Sequence, residues 1–207
     1  MRKTRCYHFC VSCAGYLLVG GKSSRMGREK ALLPFAGGTL AGAVASAVER
    51  AAGSVVLVGN PQVAGLLGYP AIPDRYPGEG PLGGILTALE HSGSDWNLVT
   101  ACDMPGLSAE FLTDLLAAAL GCGGDALLPA GPGGLPEPLC AVYHCRSREG
   151  LSRAFARGVR KIAAALEGAA VRVWPVADAG LFQNVNTPED WAACERRLPA
   201  SQRHAAN

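Results

Sequence analysis

The chain has 207 residues, 49% of them hydrophobic, and a formal net charge of +2. That is enough apolar material for one core without disulfide or metal staples. The near-balance of charge argues against nucleic acid or a membrane surface as partner, and no apolar stretch is long enough to span a bilayer.

Residues 1–13 are basic and then fairly apolar, a pattern shared with secretory leaders. His8 and Ser12 interrupt the apolar run, and its end would consume the first strand. Residues 1–13 are therefore expected to form a disordered extension, 14–198 a single domain and 199–207 a tail. Cys6, Cys10 and Cys13 form C-x3-C-x2-C, a spacing that resembles the iron–sulfur motif of radical SAM enzymes. Cys13 falls two residues before the first predicted strand, which leaves little room for a cluster loop. Cys102, Cys122, Cys140, Cys145 and Cys194 are scattered, as expected of small buried hydrophobes in a reduced compartment.

Gly15–Val19 is predicted as the first strand. The loop Gly20-Gly21-Lys22-Ser23-Ser24-Arg25-Met26-Gly27-Arg28-Glu29-Lys30 follows it. Glycines between a strand and a helix let backbone N–H groups face phosphate oxygens, and Arg25 and Lys30 add positive charge. The loop is not a Walker sequence, because Tyr16 stands where its first glycine belongs, and it lacks the GxGxxG dinucleotide spacing. A nucleoside triphosphate site and a basic surface loop both remain open from the loop alone.

A helix is expected over Thr39–Ala52, with Thr39 as N-cap and Gly53 as stop. Val55–Val58 reads as a buried parallel strand, Gly59-Asn60-Pro61 as a turn and Tyr69–Ile72 as a short edge strand. Pro73 to Pro81 must be a loop, and Pro81 opens a helix to His91. Trp96–Thr100 is the next strand, and Ser108 caps a helix to about Leu120. Ala126–Pro129 and Pro138–Tyr143 are strands around the turn Gly131–Gly134. Helical segments follow between Arg146 and Glu167, then a strand over Val171–Trp174. Thr187 caps a last helix with Pro188 at its first position. Alternating strands and helices predict an α/β fold, a parallel sheet covered by helices.

Ligands of such sheets gather beyond the carboxyl ends of the strands. The Arg25/Lys30 loop, Asn60, Asp74 and Asp103 all fall there. A strand-end carboxylate such as Asp103 beside a phosphate loop suits Mg²⁺, which takes few protein ligands and several waters or phosphates. The same carboxylate also suits a simple turn cap before Met104-Pro105.

Several ordered motifs resemble the MobA-type molybdenum cofactor guanylyltransferases. They are Leu18-Val19-Gly20-Gly21-x-Ser23-x-Arg25-Met26-Gly27-x-x-Lys30, Pro73-Asp74, Gly80-Pro81-Leu82-Gly83-Gly84-Ile85 and Cys102-Asp103-Met104-Pro105. Glu137-Pro138-Leu139-x-Ala141-x-Tyr143 and Asn184-x-Asn186-Thr187-Pro188-Glu189-Asp190 complete the set, across residues 15–195. The resemblance implies a three-layer, Rossmann-like nucleotidyltransferase fold in a cytoplasmic protein. It implies Mg²⁺-dependent transfer of GMP from GTP to the molybdenum-loaded pterin, with pyrophosphate released. Leu18, Val19, Gly20, Gly21, Lys30, Asn60, Asp74 and Asp103 would then bind GTP. Arg25, Lys30 and Asp103 would serve catalysis, and Asp103 would hold Mg²⁺. Glu137, Pro138, Asn184 and Asn186 would face the pterin, although Pro138 and Thr187-Pro188 serve equally as a strand start and a helix opening. Partners implied are proteins that deliver the pterin or mature the recipient molybdoenzyme. Family members usually carry Ala where this chain has Val19; the backbone can serve equally well there, and the larger side chain could crowd the nucleotide. A cytidylyltransferase of the same pterin, another small-molecule nucleotidyltransferase and a non-catalytic GTP-binding module remain alternatives.

Overall fold

In the computed structural model, which describes residues 11–20 and 30–197, the first strand β1 (Cys13–Val19) is buried from Gly15 to its end. Residues 30–32 make a 3-10 turn that leads into a small hairpin, β2 (Pro34–Phe35) and β3 (Gly38–Thr39). Then follow α1 (Leu40–Ala52), β4 (Val56–Gly59), α2 (Pro61–Leu67), β5 (Ala71–Ile72), α3 (Pro81–His91), β6 (Trp96–Ala101) and α4 (Ala109–Gly121). The second half carries β7 (Ala126–Ala130), β8 (Cys140–His144), α5 (Ser147–Ala156), α6 (Ile162–Ala165), β9 (Val171–Pro175) and α7 (Pro188–Arg197).

Seven strands form one sheet in the order β5-β4-β1-β6-β8-β7-β9. β8 runs antiparallel to both of its neighbours, and every other pairing in that sheet is parallel. The sheet is thus mostly parallel and helix-covered, as expected. Side chains alternate between faces with the period of two that a pleated strand imposes. Leu17 and Val19 join Leu98 against Val44 and Val48 of α1 and Leu112 and Leu115 of α4. Tyr16 and Leu18 join Val99 on the other face, against Leu82, Ile85, Leu86 and Leu89 of α3. Each fully buried Leu or Ile is worth about 1.5–3 kcal/mol, so two covered faces explain the unbroken apolar runs. Gly84 lets α3 lie close to β1: a Cβ there would meet Leu18 Cδ1 at 3.2 Å. A third, smaller core of Leu33, Phe35, Leu40 and Val185, with Trp191 packed on it, joins the hairpin to α7.

The cap signals work as read. Thr39 Oγ1 accepts from Gly42 N at 3.1 Å, and Gly53 closes α1 at φ 76° with its N–H on Glu49 O. Ser108 Oγ accepts from Phe111 N at 3.2 Å. Such caps are worth about 1 kcal/mol each.

Two local readings change. β1 begins at Cys13 rather than Gly15, and Ser12 exchanges hydrogen bonds with Asp95, so the described part of the N-terminal segment is held to the sheet. Cys6 and Cys10 lie outside the described residues. The turn expected at Gly59-Asn60-Pro61 instead starts a helix, because Asn60 Oδ1 accepts from Gln62 N at 2.9 Å and Pro61 occupies the first helical position. Among the six described cysteines, Cys140 is buried, whereas Cys145 is exposed.

Candidate active site

The strand register fixes where the chain leaves the sheet. Val19 pairs with Gly59, Val58 with Ile72, and Leu18 with Ala101. Gly20, Asn60, Asp74 and Asp103 therefore emerge along one rim, at the carboxyl ends of β1, β4, β5 and β6. β1 and β6 are neighbours whose onward connections run in opposite directions across the sheet, the arrangement that opens a ligand crevice. Being antiparallel, β8 brings its amino end to the same rim. Leu139 O accepts from Ala101 N at 2.8 Å, which places Glu137 and Pro138 near Asp103.

At the β1/β6 position three sequence-distant side chains meet. Lys30 Nζ donates to Asp103 Oδ2 at 2.9 Å and to Asn186 Oδ1 at 2.8 Å. The Lys30 and Asp103 side chains are 14% and 21% exposed, so this ion pair is shielded from water on most sides. The backbone braces it: Val185 N donates to Asp103 O at 2.9 Å, and Cys102 N to Leu18 O at 3.2 Å. Asp103 Oδ1 and Asn184 Oδ1 are buried with no hydrogen-bond partner among the described residues. A buried carboxylate oxygen left unmatched costs free energy unless a cation or donor arrives.

That orphaned oxygen is the test of fit for Mg²⁺. A hard anionic donor whose sister oxygen is held by an ammonium suits a cation that draws its remaining ligands from phosphate and water. Among the described residues no cluster of three or more His, Cys, Asp or Glu side chains surrounds it, so such an ion would be completed by its substrate.

The other expected residues divide. Gly21 and Arg25 lie outside the described residues. Gly20 is exposed at the rim. Gly59, at φ 127°, permits the close approach there, since a Cβ on it would meet Gly20 N at 3.2 Å. Val19 is 2% exposed and packs into the α1-side core, so its side chain does not approach the crevice. Leu18 packs against the opposite face, which leaves both residues only backbone to offer a nucleotide. Asn60 caps α2 through Oδ1. Asp74 Oδ1 accepts from Tyr76 N at 2.9 Å and lies 3.1 Å from Thr87 Oγ1, tying the Pro-rich loop to α3.

Glu137 Oε1 accepts from Leu139 N at 2.9 Å. Burial raises its carboxyl above the ordinary range, the Leu139 N–H pulls it down, and the Asp103 charge pushes it up again. Pro138 O accepts from the Tyr143 hydroxyl at 2.7 Å. Asn186, expected toward the pterin, accepts from Lys30 Nζ through its Oδ1. Asp190 was absent from the expected site, yet its Oδ2 accepts from Asn186 N at 3.0 Å and Thr187 N at 2.9 Å. The signal was the spacing Thr187-x-x-Asp190, which has the form of a capping box.

A family model of the MobA-like NTP transferase domain matches residues 15–171. A probable molybdenum cofactor guanylyltransferase of Bacillus mycoides is 32% identical over 196 residues, covering 90% of this chain and 97% of the relative. One of Deinococcus radiodurans is 33% identical over 181 residues, covering 87% and 93%. Among solved structures, molybdopterin-guanine dinucleotide biosynthesis protein A of Archaeoglobus fulgidus superposes with a TM-score of 0.76 at 32% identity, covering 88% of this chain and 97% of that one.

Proposed function

The chain belongs to the MobA-like NTP transferase family, and from that premise we propose that it is a molybdenum cofactor guanylyltransferase. It transfers GMP from GTP to the terminal phosphate of the molybdenum-loaded pterin and releases pyrophosphate. The observation that carries this reading is the shielded Lys30–Asp103–Asn186 contact at the β1/β6 rim, with one Asp103 oxygen unmatched.

The chemistry asks little of a general base. A phosphate monoester is already largely ionised near neutral pH, so its oxygen attacks the α-phosphorus without giving up a proton to the protein. The new P–O bond forms as the bond to pyrophosphate breaks. The cost lies in gathering anions and in stabilising the charge that builds on the leaving group. Lys30 supplies a fixed ammonium beside the crevice, and Arg25 a guanidinium from the same loop. Gly20 and Gly21 give backbone close access to phosphate oxygens. Asp103 would hold Mg²⁺, which when bound neutralises phosphate charge and orients the triphosphate. Asn60 and Asp74 flank the guanosine from β4 and β5, while Glu137, Pro138, Asn184 and Asn186 border the pterin side. No described helix is long and apolar enough to cross a membrane, and we place the protein in the cytoplasm, where pterin-delivery and molybdoenzyme-maturation proteins are its partners.

The test is a transfer assay with purified protein, Mg²⁺ and molybdenum-loaded pterin, offering GTP or CTP separately, with mass spectrometry of the product. A guanine dinucleotide from GTP alone supports the reading. A cytosine dinucleotide makes the protein a cytidylyltransferase, and no product from folded protein with active pterin makes it a nucleotide-binding module.

A further inference from the structure

Lys30 does not hold its own position. Its ammonium is shared between Asp103 and Asn186, a residue 156 positions away in the chain. Asn186 sits in an extended stretch between Val185, which is buried in the small core beside Leu33 and Phe35, and the start of α7. The stretch is locked from below by Asp190. Its Oδ2 accepts from the backbone N–H of Asn186 and of Thr187, while Thr187 Oγ1 accepts from Asp190 N at 3.1 Å. These reciprocal bonds close a capping box around the first turn of α7. Trp191 Nε1 donates to Pro34 O at 3.3 Å, pinning that turn against the segment that follows Lys30. The Asp190 carboxyl is held below the ordinary range, first by the Asn186 N–H and also by the Thr187 groups and the charge of Lys30.

We infer that Asp190 is a positioning residue for the transferase site: by fixing the Asn186 backbone it aims the Asn186 carbonyl at Lys30 and so sets where the ammonium meets the triphosphate. The inference deepens the proposed function and rests on it. A carboxylate two contacts from the crevice has no reason to touch either substrate. Its two N–H bonds orient a neutral group that shares Lys30 with Asp103. Without them, Asn186 rotates away, and Lys30 leans further toward Asp103. It then neutralises the carboxylate expected to take the metal ion, rather than reaching out to phosphate. The effect therefore falls on GTP binding more than on the transfer step.

The test is a double-mutant cycle on GTP affinity, read by titration calorimetry in Mg²⁺, with Asp190→Ala, Asn186→Ala and the double variant, and Asp190→Asn as the conservative control. Thermal midpoints are read on the same samples. Each single Ala variant is expected to weaken GTP by about three- to tenfold and to raise its KM more than it lowers kcat, within the range of coupled neighbours. The double variant should be no weaker than the worse single one, and Asp190→Asn, whose amide oxygen still accepts from the two N–H groups, should recover most of the affinity. Independent, multiplying losses would overturn the inference. So would a lowered thermal midpoint in Asp190→Ala with GTP affinity unchanged, which is helix capping and nothing more. Should Asp190→Ala fail to fold, the pair Asn186→Ala and Asp190→Asn decides: Asn186→Ala at wild-type affinity overturns the positioning role. Failure of the wild-type chain to bind GTP would instead remove the transferase reading itself, and the two failures are separately visible.

Discussion

Two lysine- or arginine-to-aspartate pairs sit at opposite ends of the sheet, and they are built differently. Arg146 and Asp125 form a finished knot. Nε of Arg146 meets Asp125 Oδ1 at 2.6 Å, its Nη2 donates to Gly124 O at 2.6 Å, and Asp125 Oδ2 accepts from Ala170 N at 2.9 Å. Both carboxylate oxygens are used, and the Ala170 N–H followed by Arg146 holds the Asp125 carboxyl below its usual range. Lys30 and Asp103 form an unfinished knot: the lysine is shared, and Asp103 Oδ1 is buried with no partner among the described residues. A saturated pair stabilises the fold, whereas a pair with an open valence keeps a place for something that is not protein.

That contrast breaks most sharply at Asp103. Asp103→Ala is expected to abolish transfer, by about a thousandfold or more, with the fold retained as read by circular dichroism. Full activity in the variant would sink the assignment. Lys30→Ala should weaken GTP about ten- to hundredfold, the value of a charge-assisted hydrogen bond to phosphate, and an unchanged dissociation constant would remove Lys30 from the site. Asp125→Ala should do the reverse: stability falls by about 1 kcal/mol, since the pair is partly exposed, and transfer kinetics stay at the wild-type value. Because the folded Asp125 carboxyl is shifted down, its contribution is complete above the unfolded value of about 4 and fades as pH falls through the lower folded value. Denaturant curves of wild type and variant should therefore diverge near pH 7 and converge in strong acid. The smallest effect is expected at Glu137. Its folded carboxyl is shifted up, so the ionised form costs stability that is absent below the unfolded value and appears as pH rises through the folded one. Glu137→Gln should match wild type near pH 4 and melt slightly higher near pH 8. An equal midpoint at both pH values would show that burial does not hold the Glu137 carboxyl above its ordinary range.

The sequence carries the fold through local signals. Thr39, Gly53 and Ser108 announce their helix ends because a cap is a contact between near neighbours. The helix after β4 carries the same kind of signal, Asn60-Pro61, that Thr187-Pro188 carries at α7, yet the preceding Gly59 makes it read as a turn. The direction of β8 is harder to read, since residue type does not encode which way a buried strand runs. The rim residues were legible wherever they follow a strand. The bond from Lys30 to Asn186 was not, because no periodicity links positions on separate elements. Which way the Val19 side chain points was not legible for a related reason: at the last position of a strand, the pleat and not the neighbouring loop decides whether it faces core or crevice.

The distance along the chain between Lys30 and its amide partner has a consequence for how the protein is made. Every strand of the large sheet has been synthesised once Pro175 has left the ribosome, and the rim carboxylate by residue 103. The group that shares the ammonium, and the turn that braces it, arrive only with residues 185–191. The sheet can assemble on a nascent chain, with Lys30 already beside Asp103, while the ammonium still lacks its amide partner, because a contact of such separation forms only when both ends are available. A chain cut short after β9 would keep its layers and the Lys30–Asp103 pair but lose the amide that shares the ammonium.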